Sequence, residues 1–157
     1  MKPLTNKIPK AMAPLNQSTL IAEGLKRFKN KIKNVHITVG YKGSMLAKHV
    51  IEYDVSSVIN TEGKGNAWWL YNSILKKLDE PTYVITCDNI FNINLKKYEN
   101  EYYKLKSPAC MIIPTRPVEN LGGDYVAFDN KNFVTNISRK KISQYYCSGI
   151  QIINPKE

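Results

Sequence analysis

Apolar residues in the first half of the chain alternate between helical and strand-like spacing. Ile21, Leu25 and Phe28 recur at i, i+4 and i+7, which predicts a helix. Ser18 precedes this helix and is predicted to cap it. The apolar run over residues 35–39 predicts a buried strand that Gly40 ends. The same reasoning predicts helices over 44–50, 66–78 and 95–105 and strands over 55–59, 83–86 and 110–113.

The last third of the chain changes to short strands. They are predicted over 125–128, 133–137 and 145–153, with a hairpin turn over 129–132. Three prolines within residues 1–17 predict an extended loop there. Helix and strand alternation followed by a β-rich portion predicts an α/β fold with a mostly parallel sheet and helices on both faces. The length predicts a single domain over residues 1–157.

The chain carries a formal charge of +10, and this excess of cations attracts polyanions such as nucleotides, phosphorylated metabolites or nucleic acid. The densest cluster, from Lys26 to Lys33, lies at the end of the first predicted helix and is typical of a solvated face. No apolar run approaches the ~20 residues of a membrane span, and the first residues lack the apolar core of a signal peptide. We therefore expect a cytoplasmic protein with no membrane partner. The three cysteines are far apart and are expected to be free thiols.

Asp88 follows the predicted strand at 83–86. In open α/β sheets, ligands bind beyond the carboxyl ends of the strands, so an acidic side chain there is a candidate site residue. An aspartate is also a common turn residue. On position alone, both interpretations stay open.

Five stretches of the chain carry patterns that occur together in one enzyme family. They are Pro-Leu-Thr and Pro-Lys within residues 1–15, Thr-Val-Gly-Tyr-Lys at 38–42, the loop and helix start at 58–67, Cys-Asp-Asn-Ile-Phe at 87–91, and the strand-rich segment at 126–150. Together they resemble the sugar-1-phosphate nucleotidyltransferases over most of the chain. The resemblance implies a three-layer Rossmann-like fold and an enzyme that joins a nucleoside triphosphate to a sugar-1-phosphate and releases pyrophosphate.

The same resemblance implies roles for individual residues. Lys10 would contact the reacting phosphates, and Asn60 and Gly65 would contact the nucleotide base. Asp88 would bind Mg²⁺, and Lys140 and Gly149 would bind the sugar phosphate. Fixed cations suit this chemistry because charge develops on phosphate oxygens during the transfer, and carboxylate oxygens suit Mg²⁺.

Three positions depart from the family pattern. Cys87 replaces a glycine, Arg139 replaces a sugar-binding glutamate, and Lys141 replaces a proline. The added cations favour an acidic or multiply phosphorylated acceptor, and a solvated basic turn is the alternative interpretation.

The family pattern is incomplete at both ends of this chain. No first strand or G-x-G-T-R loop precedes Lys2, and no segment after Glu157 supplies a second metal-binding aspartate. We therefore expect a partial nucleotidyltransferase domain with exposed sheet edges, which favours reduced stability or a homo-oligomer.

Two alternatives from other functional classes remain. One is a catalytically inactive relative that binds only nucleotide or sugar phosphate. The other is a small basic nucleic-acid-binding protein that stacks bases on tyrosines. The absence of a recognised nucleic-acid motif disfavours the second alternative. The tyrosines considered for stacking are Tyr102, Tyr103, Tyr145 and Tyr146.

Overall fold

The computed structural model describes residues 2–65, 67–87, 90, 92–119 and 122–157. They form two compact units. Unit 1 comprises Met1–Leu78 and Cys87–Leu95, and unit 2 comprises Asp79–Thr86 and Lys96–Glu157. Each unit is described below by itself, and the expectation of a single domain stays a prediction.

The amino-terminal segment of unit 1 is more ordered than the extended loop predicted for it. It contains two 3-10 turns, Leu4–Asn6 and Lys10–Met12, and a small antiparallel hairpin of β1 (Pro14–Leu15) with β2 (Ser18–Thr19). Each 3-10 turn follows a proline, and the ring fixes a backbone angle that is compatible with a turn start. The prolines therefore begin turns here, where we had expected them to exclude regular structure.

Helix α1 (Leu20–Phe28) lies where the apolar spacing predicted it, but its cap is one residue later. Thr19, rather than Ser18, is the N-cap, and its Oγ1 accepts a hydrogen bond from the amide of Ala22 at 3.2 Å. Thr19 Oγ1 also lies 2.8 Å from Nε2 of His49. The cap therefore also links α1 to the next helix.

The centre of unit 1 is a parallel strand pair. β3 (His36–Val39) and β4 (Ser57–Asn60) pair in register from His36 opposite Ser57 to Val39 opposite Asn60. α2 (Gly43–Val50) and a 3-10 turn (Ile51–Tyr53) form the crossover between the two strands. A buried apolar cluster fills the interior of this unit. Its members are Ala11, Ile21, Val39, Leu46 and Val50.

The helix predicted over residues 66–78 is broken into two pieces. α3 covers Trp68–Asn72 and a 3-10 turn covers Ile74–Lys77. Ser73 between them is extended, and its hydroxyl accepts a hydrogen bond from the amide of Leu75 at 3.2 Å. This side chain competes with the helical backbone for hydrogen bonds, which explains the break.

Unit 2 is built on a five-stranded sheet. Its order is β5, β9, β7, β8, and β6 also pairs with β9. The long strand β9 is central, because β5 lies beside its second half, β7 lies beside its first half, and β6 lies along its other edge. Along the chain, α4 lies between β5 and β6. The bounds are β5 Thr82–Ile85, α4 Leu95–Lys104, β6 Cys110–Thr115, β7 Tyr125–Phe128, β8 Val134–Ser138 and β9 Tyr145–Ile153.

The prediction of a mostly parallel sheet was wrong for this unit, where every described strand pair is antiparallel. β5 and β6 do run in the same direction, since both are antiparallel to β9. β9 comes from much later in the chain and lies between them. The local βα pattern therefore predicted the relative direction of β5 and β6 correctly. It did not predict that β9 lies between them. In the part of the chain that the structure describes, no helix has the length and hydrophobicity to cross a bilayer.

Candidate functional site

The parallel pair in unit 1 has its carboxyl ends at Val39 and Asn60, the type of sheet edge where open α/β folds bind ligands. Thr61 closes this edge. Its amide donates to the carbonyl of Val39 at 2.7 Å, and its hydroxyl donates to the same oxygen at 3.2 Å. The loop after β4 is therefore attached to the end of β3. Hydrogen bonds therefore connect the loop to both strands.

Asn60, a predicted base-binding residue, is exposed at this edge. Its Oδ1 accepts a hydrogen bond from the amide of Glu62 at 2.9 Å, which forms a tight turn. The side-chain oxygen therefore holds the loop, and the side-chain NH₂ is the group that could donate to a ligand. This arrangement is compatible with base recognition.

Two glycines in the same loop have different reasons to be glycine. Gly63 has φ of 71°, a left-handed conformation that favours glycine. A Cβ added to Gly65 would meet no atom within 4 Å, so local packing does not require glycine at that position. The family resemblance indicated Gly65 and not Gly63, although a glycine in a polar loop is a common turn signal. Asn66 lies outside the described residues.

Trp68 stands beside this loop at the start of α3. The Nζ of Lys64 lies 5.3 Å from the centroid of a Trp68 ring, within range of a cation–π contact. The amide of Trp68 donates to the carbonyl of Gly65 at 3.0 Å. The loop therefore presents one cation and one aromatic ring close to Asn60 in sequence.

Lys10, the predicted phosphate-binding cation, is exposed on the second 3-10 turn of unit 1. The adjacent Ala11 is only 3% exposed and belongs to the apolar cluster of the unit. Burial of Ala11 fixes the turn, so the backbone of Lys10 has a defined position. The role of Lys10 toward phosphates stays a prediction.

Lys42 is a second ordered cation in unit 1 to which the sequence reasoning gave no role. It precedes α2 with φ of 52°, and its Nζ donates to the carbonyl of Lys7 at 3.1 Å. This bond attaches the amino-terminal segment to the turn that follows β3. Its sequence signal, a lysine directly after Gly-Tyr, is too common to have identified this contact.

Asp88, the predicted metal ligand, lies outside the described residues, and its neighbour Asn89 does too. Among the described residues no group of three or more histidine, cysteine, aspartate or glutamate side chains could hold a metal ion. The Mg²⁺ assignment therefore stays a prediction from the family resemblance.

Gly149, in unit 2, is shaped by its contact with the end of β5. It has φ of 85°, and its carbonyl accepts a hydrogen bond from the amide of Thr86 at 3.0 Å. A Cβ at this position would lie 2.5 Å from Oγ1 of Thr86. Glycine is therefore required by the local fold of β9, independently of any contact with a sugar phosphate.

Lys140, the other predicted sugar-phosphate residue, lies in an exposed basic turn after β8. The amides of Lys140 and Lys141 both donate to Oγ of Ser138, at 3.1 Å each. Arg139 Nε lies 2.9 Å from Oδ1 of Asp124, so the charge that replaces the family glutamate is partly neutralised. The turn is ordered and retains two lysine charges for an anionic group.

The cysteines are free thiols, as predicted. Burial raises the pKa of Cys110 and of Cys147, and the nearby carboxylate of Asp124 adds to the effect at Cys147. Thiols with raised pKa values are protonated at neutral pH and are weak nucleophiles. Burial likewise raises the pKa of Tyr83 to about 12. None of these groups suits nucleophilic catalysis at neutral pH.

The chain matches no protein-family model and no curated protein. It is similar to the solved structure of HddC from Yersinia pseudotuberculosis, with a TM-score of 0.76 and 18% identity over 95% of this chain and 68% of HddC. The structure of HddC complexed with GMP-PN gives a TM-score of 0.78 and 18% identity over 99% of this chain and 72% of HddC. The CTP:phosphocholine cytidylyltransferase LicC from Streptococcus pneumoniae gives 0.68 and 20% over 98% of this chain and 65% of LicC. Identities this low show a shared fold.

Proposed function

We propose that this chain is a nucleotidyltransferase domain that acts on a nucleoside triphosphate and a sugar-1-phosphate. An oxygen of the sugar phosphate attacks the α-phosphorus of the triphosphate and forms a new P–O bond. The bond from the α-phosphorus to the oxygen that bridges it to the β-phosphate breaks, and pyrophosphate leaves. The products are a nucleotide-sugar and pyrophosphate.

The observation that carries the proposal is the similarity to the nucleotide-analogue complex of HddC over 99% of this chain, with a TM-score of 0.78. The similarity to a CTP:phosphocholine cytidylyltransferase supports the same class of chemistry. Both findings agree with the motif resemblance of residues 1–15, 38–42, 58–67, 87–91 and 126–150. Fold similarity by itself does not establish an activity, so the residue roles below are part of the proposal.

Nucleotide recognition is assigned to the loop after β4. The NH₂ of Asn60 donates to the base, and Gly65 allows the ligand to approach the backbone, because the space around its Cα is open. Lys10 neutralises charge on the reacting phosphates. A transfer of this kind depends on positioned cations, since most of its catalysis is electrostatic.

Acceptor recognition is assigned to unit 2. Lys140 binds the phosphate of the sugar-1-phosphate, and the turn that carries it is held by the hydroxyl of Ser138. Lys141 adds a second positive charge to this turn, which favours an acceptor with an extra acidic or phosphate group. Gly149 contributes by maintaining the β-bulge of β9, where the pairing register with β6 shifts.

Mg²⁺ belongs to the proposal through Asp88. A carboxylate that shares an ion with substrate phosphates is a common way for proteins to bind Mg²⁺. When bound, the ion would neutralise negative charge on the substrate phosphates. Lys10 and Lys140 act on the substrates through their own charges.

The test is pyrophosphate release by the 157-residue chain with each common nucleoside triphosphate, Mg²⁺ and a panel of sugar-1-phosphates. Phosphocholine forms a separate acceptor arm. The variant is Asp88→Asn, and the matched control is Asp54→Asn. Asp54 is exposed with φ of 56°, a conformation that asparagine adopts readily, so the control removes one carboxylate without distorting the fold.

We expect turnover with a sugar-1-phosphate, and we expect Asp88→Asn to reduce it at least ~100-fold while Asp54→Asn leaves it unchanged, since removal of one electrostatic group typically costs about 10²–10³ in rate. Turnover with phosphocholine alone would show that the acceptor class is wrong. Nucleotide binding without turnover in any arm would favour the catalytically inactive relative. Equal activity of both variants would remove Asp88 from the mechanism.

A further inference from the structure

β8 is the outermost strand of the sheet in unit 2. Within the described part of the chain its only strand partner is β7, so one side of its backbone is not bonded to a neighbouring strand. A strand edge of this kind has N–H and C=O groups that can pair with another chain. Proteins usually protect such an edge, so an accessible edge is a candidate interaction surface.

Four large apolar side chains on β8 or in its flanking turns are exposed. Phe133, directly before β8, is 67% exposed, and Ile142, in the turn after it, is 81% exposed. Val134 and Ile137 within the strand are exposed as well. We call β8 and its two flanking turns, residues 129–142, the β8 edge. Grouped apolar side chains on a surface mark interaction sites more often than scattered ones do.

Cations lie at both ends of the β8 edge. Lys131 stands in the turn before the strand, and Arg139, Lys140 and Lys141 follow it. The nearby carboxylates are already engaged. Asp129 Oδ1 accepts hydrogen bonds from the amides of Lys131 and Phe133 at 2.9 and 2.8 Å, and the carboxylate of Asp124 pairs with Arg139.

Counted from Asp124 to Ile142, four cations and two carboxylates leave a net charge of +2. The β8 edge therefore combines exposed apolar side chains with a net positive charge, most of it in the basic turn after the strand.

We propose that the β8 edge binds an extended, acidic segment of a partner protein, which adds to the sheet as a sixth strand beside β8. Main-chain hydrogen bonds would satisfy the backbone edge, and alternate side chains of the segment would cover Val134 and Ile137. Acidic residues near its ends would meet Lys131 and the basic turn, so the segment would compete with the proposed acceptor for Lys140 and Lys141.

Two other occupants fit less well. A lipid surface would bury the unpaired backbone groups of β8 in a medium that cannot hydrogen-bond to them. A second copy pairing antiparallel about Asn136 would bring Lys131 of one chain opposite Lys141 of the other, and like charges facing each other oppose that contact. An acidic strand satisfies both the backbone and the charge.

The probe is a fluorescent ten-residue peptide of alternating valine and glutamate, titrated with the full chain by fluorescence anisotropy. A peptide of alternating valine and lysine tests charge, vesicles of anionic phosphatidylglycerol test lipid binding, and sedimentation velocity tests self-association. Ile137→Asp and Lys131→Glu are the edge variants. Their matched controls are Ile51→Asp and Lys48→Glu, which change an exposed isoleucine and an exposed lysine of unit 1. Circular dichroism melting verifies that all four variants fold.

We expect the acidic peptide to bind and the basic peptide not to bind. We expect each edge variant to weaken binding about tenfold, because each places a negative charge against an acidic strand, and the controls to leave it unchanged. Slower amide exchange at residues 134–138 in the presence of the peptide would place it on β8. Equal effects of edge and control variants, binding only to vesicles, or self-association that Ile137→Asp abolishes would each overturn the proposal.

Discussion

Replacement of Gly149 by alanine tests whether the β-bulge in β9 depends on glycine. Two separate features of this residue oppose a side chain. Its φ of 85° is a conformation that L-residues rarely adopt. An added Cβ would also lie 2.5 Å from Oγ1 and 3.2 Å from Cγ2 of Thr86, closer than normal contact. We therefore expect Gly149→Ala to destabilise the protein.

The expected magnitude combines these two features. A non-glycine residue in the left-handed region costs roughly 1–2 kcal/mol, and overpacking a tight site costs roughly 1–3 kcal/mol, so Gly149→Ala should cost about 2–5 kcal/mol. Domains of this size have unfolding free energies of about 5–15 kcal/mol. With a urea slope of about 2 kcal/mol/M, the midpoint of unfolding should fall by about 1–2.5 M.

Urea unfolding followed by circular dichroism measures this shift. The matched control is Gly122→Ala, because Gly122 also lies in unit 2 and an added Cβ there would meet no atom within 4 Å. A double-mutant cycle with Thr86→Ala separates the two causes, since removing the Thr86 hydroxyl relieves the close contact and leaves the backbone conformation strained. A fall of the midpoint in Gly149→Ala no larger than that in Gly122→Ala would show that glycine is not required at position 149.

Three further predictions concern stability. Gly24→Ala should stabilise the protein by about 0.5–1 kcal/mol in urea unfolding, because Gly24 is inside α1 and an added Cβ would meet no atom within 4 Å. Burial lowers the pKa of His36, which is hydrogen-bonded to Ser57, so the unfolded chain takes up its proton first. Stability should fall as pH decreases below about 6.5 toward the lowered folded-state pKa, and His36→Gln should reduce that slope. Tyr102→Phe should cost about 1 kcal/mol in thermal or urea unfolding, since the buried phenol donates to the carbonyl of Pro108 at 2.9 Å.

Local apolar spacing predicted most elements, because their signals are contained within a few residues. The strands over 125–128 and 145–153 have the bounds that the sequence predicted. Two of the failures came from single polar side chains. Thr19 rather than Ser18 caps α1, and the hydroxyl of Ser73 interrupts a segment whose apolar spacing is helical on both sides. Spacing reports which face is buried, and it does not report where a hydroxyl replaces a backbone hydrogen bond.

Strand order could not be predicted from the same information. The βα pattern indicated that β5 and β6 run in the same direction, and they do, because both are antiparallel to β9. Nothing local to those strands shows that β9 lies between them. Its position depends on pairing between segments that are distant in the chain, and such long-range pairing is determined by the whole sheet. The mostly parallel sheet was therefore a reasonable inference from local pattern and wrong for unit 2.

A glycine that the family resemblance indicates is not always one that the backbone conformation requires. The resemblance selected Gly65 and Gly149, whereas the backbone requires glycine at Gly63 and Gly149, which both have positive φ. The open space around Gly65 means that alanine there should fold normally, so a loss of nucleotide affinity in Gly65→Ala would report close approach of a ligand. Gly63→Ala should lower stability and affinity together. Comparing the two variants by nucleotide titration and urea unfolding separates a binding role from a folding role, and equal behaviour of both would remove Gly65 from the proposed nucleotide site.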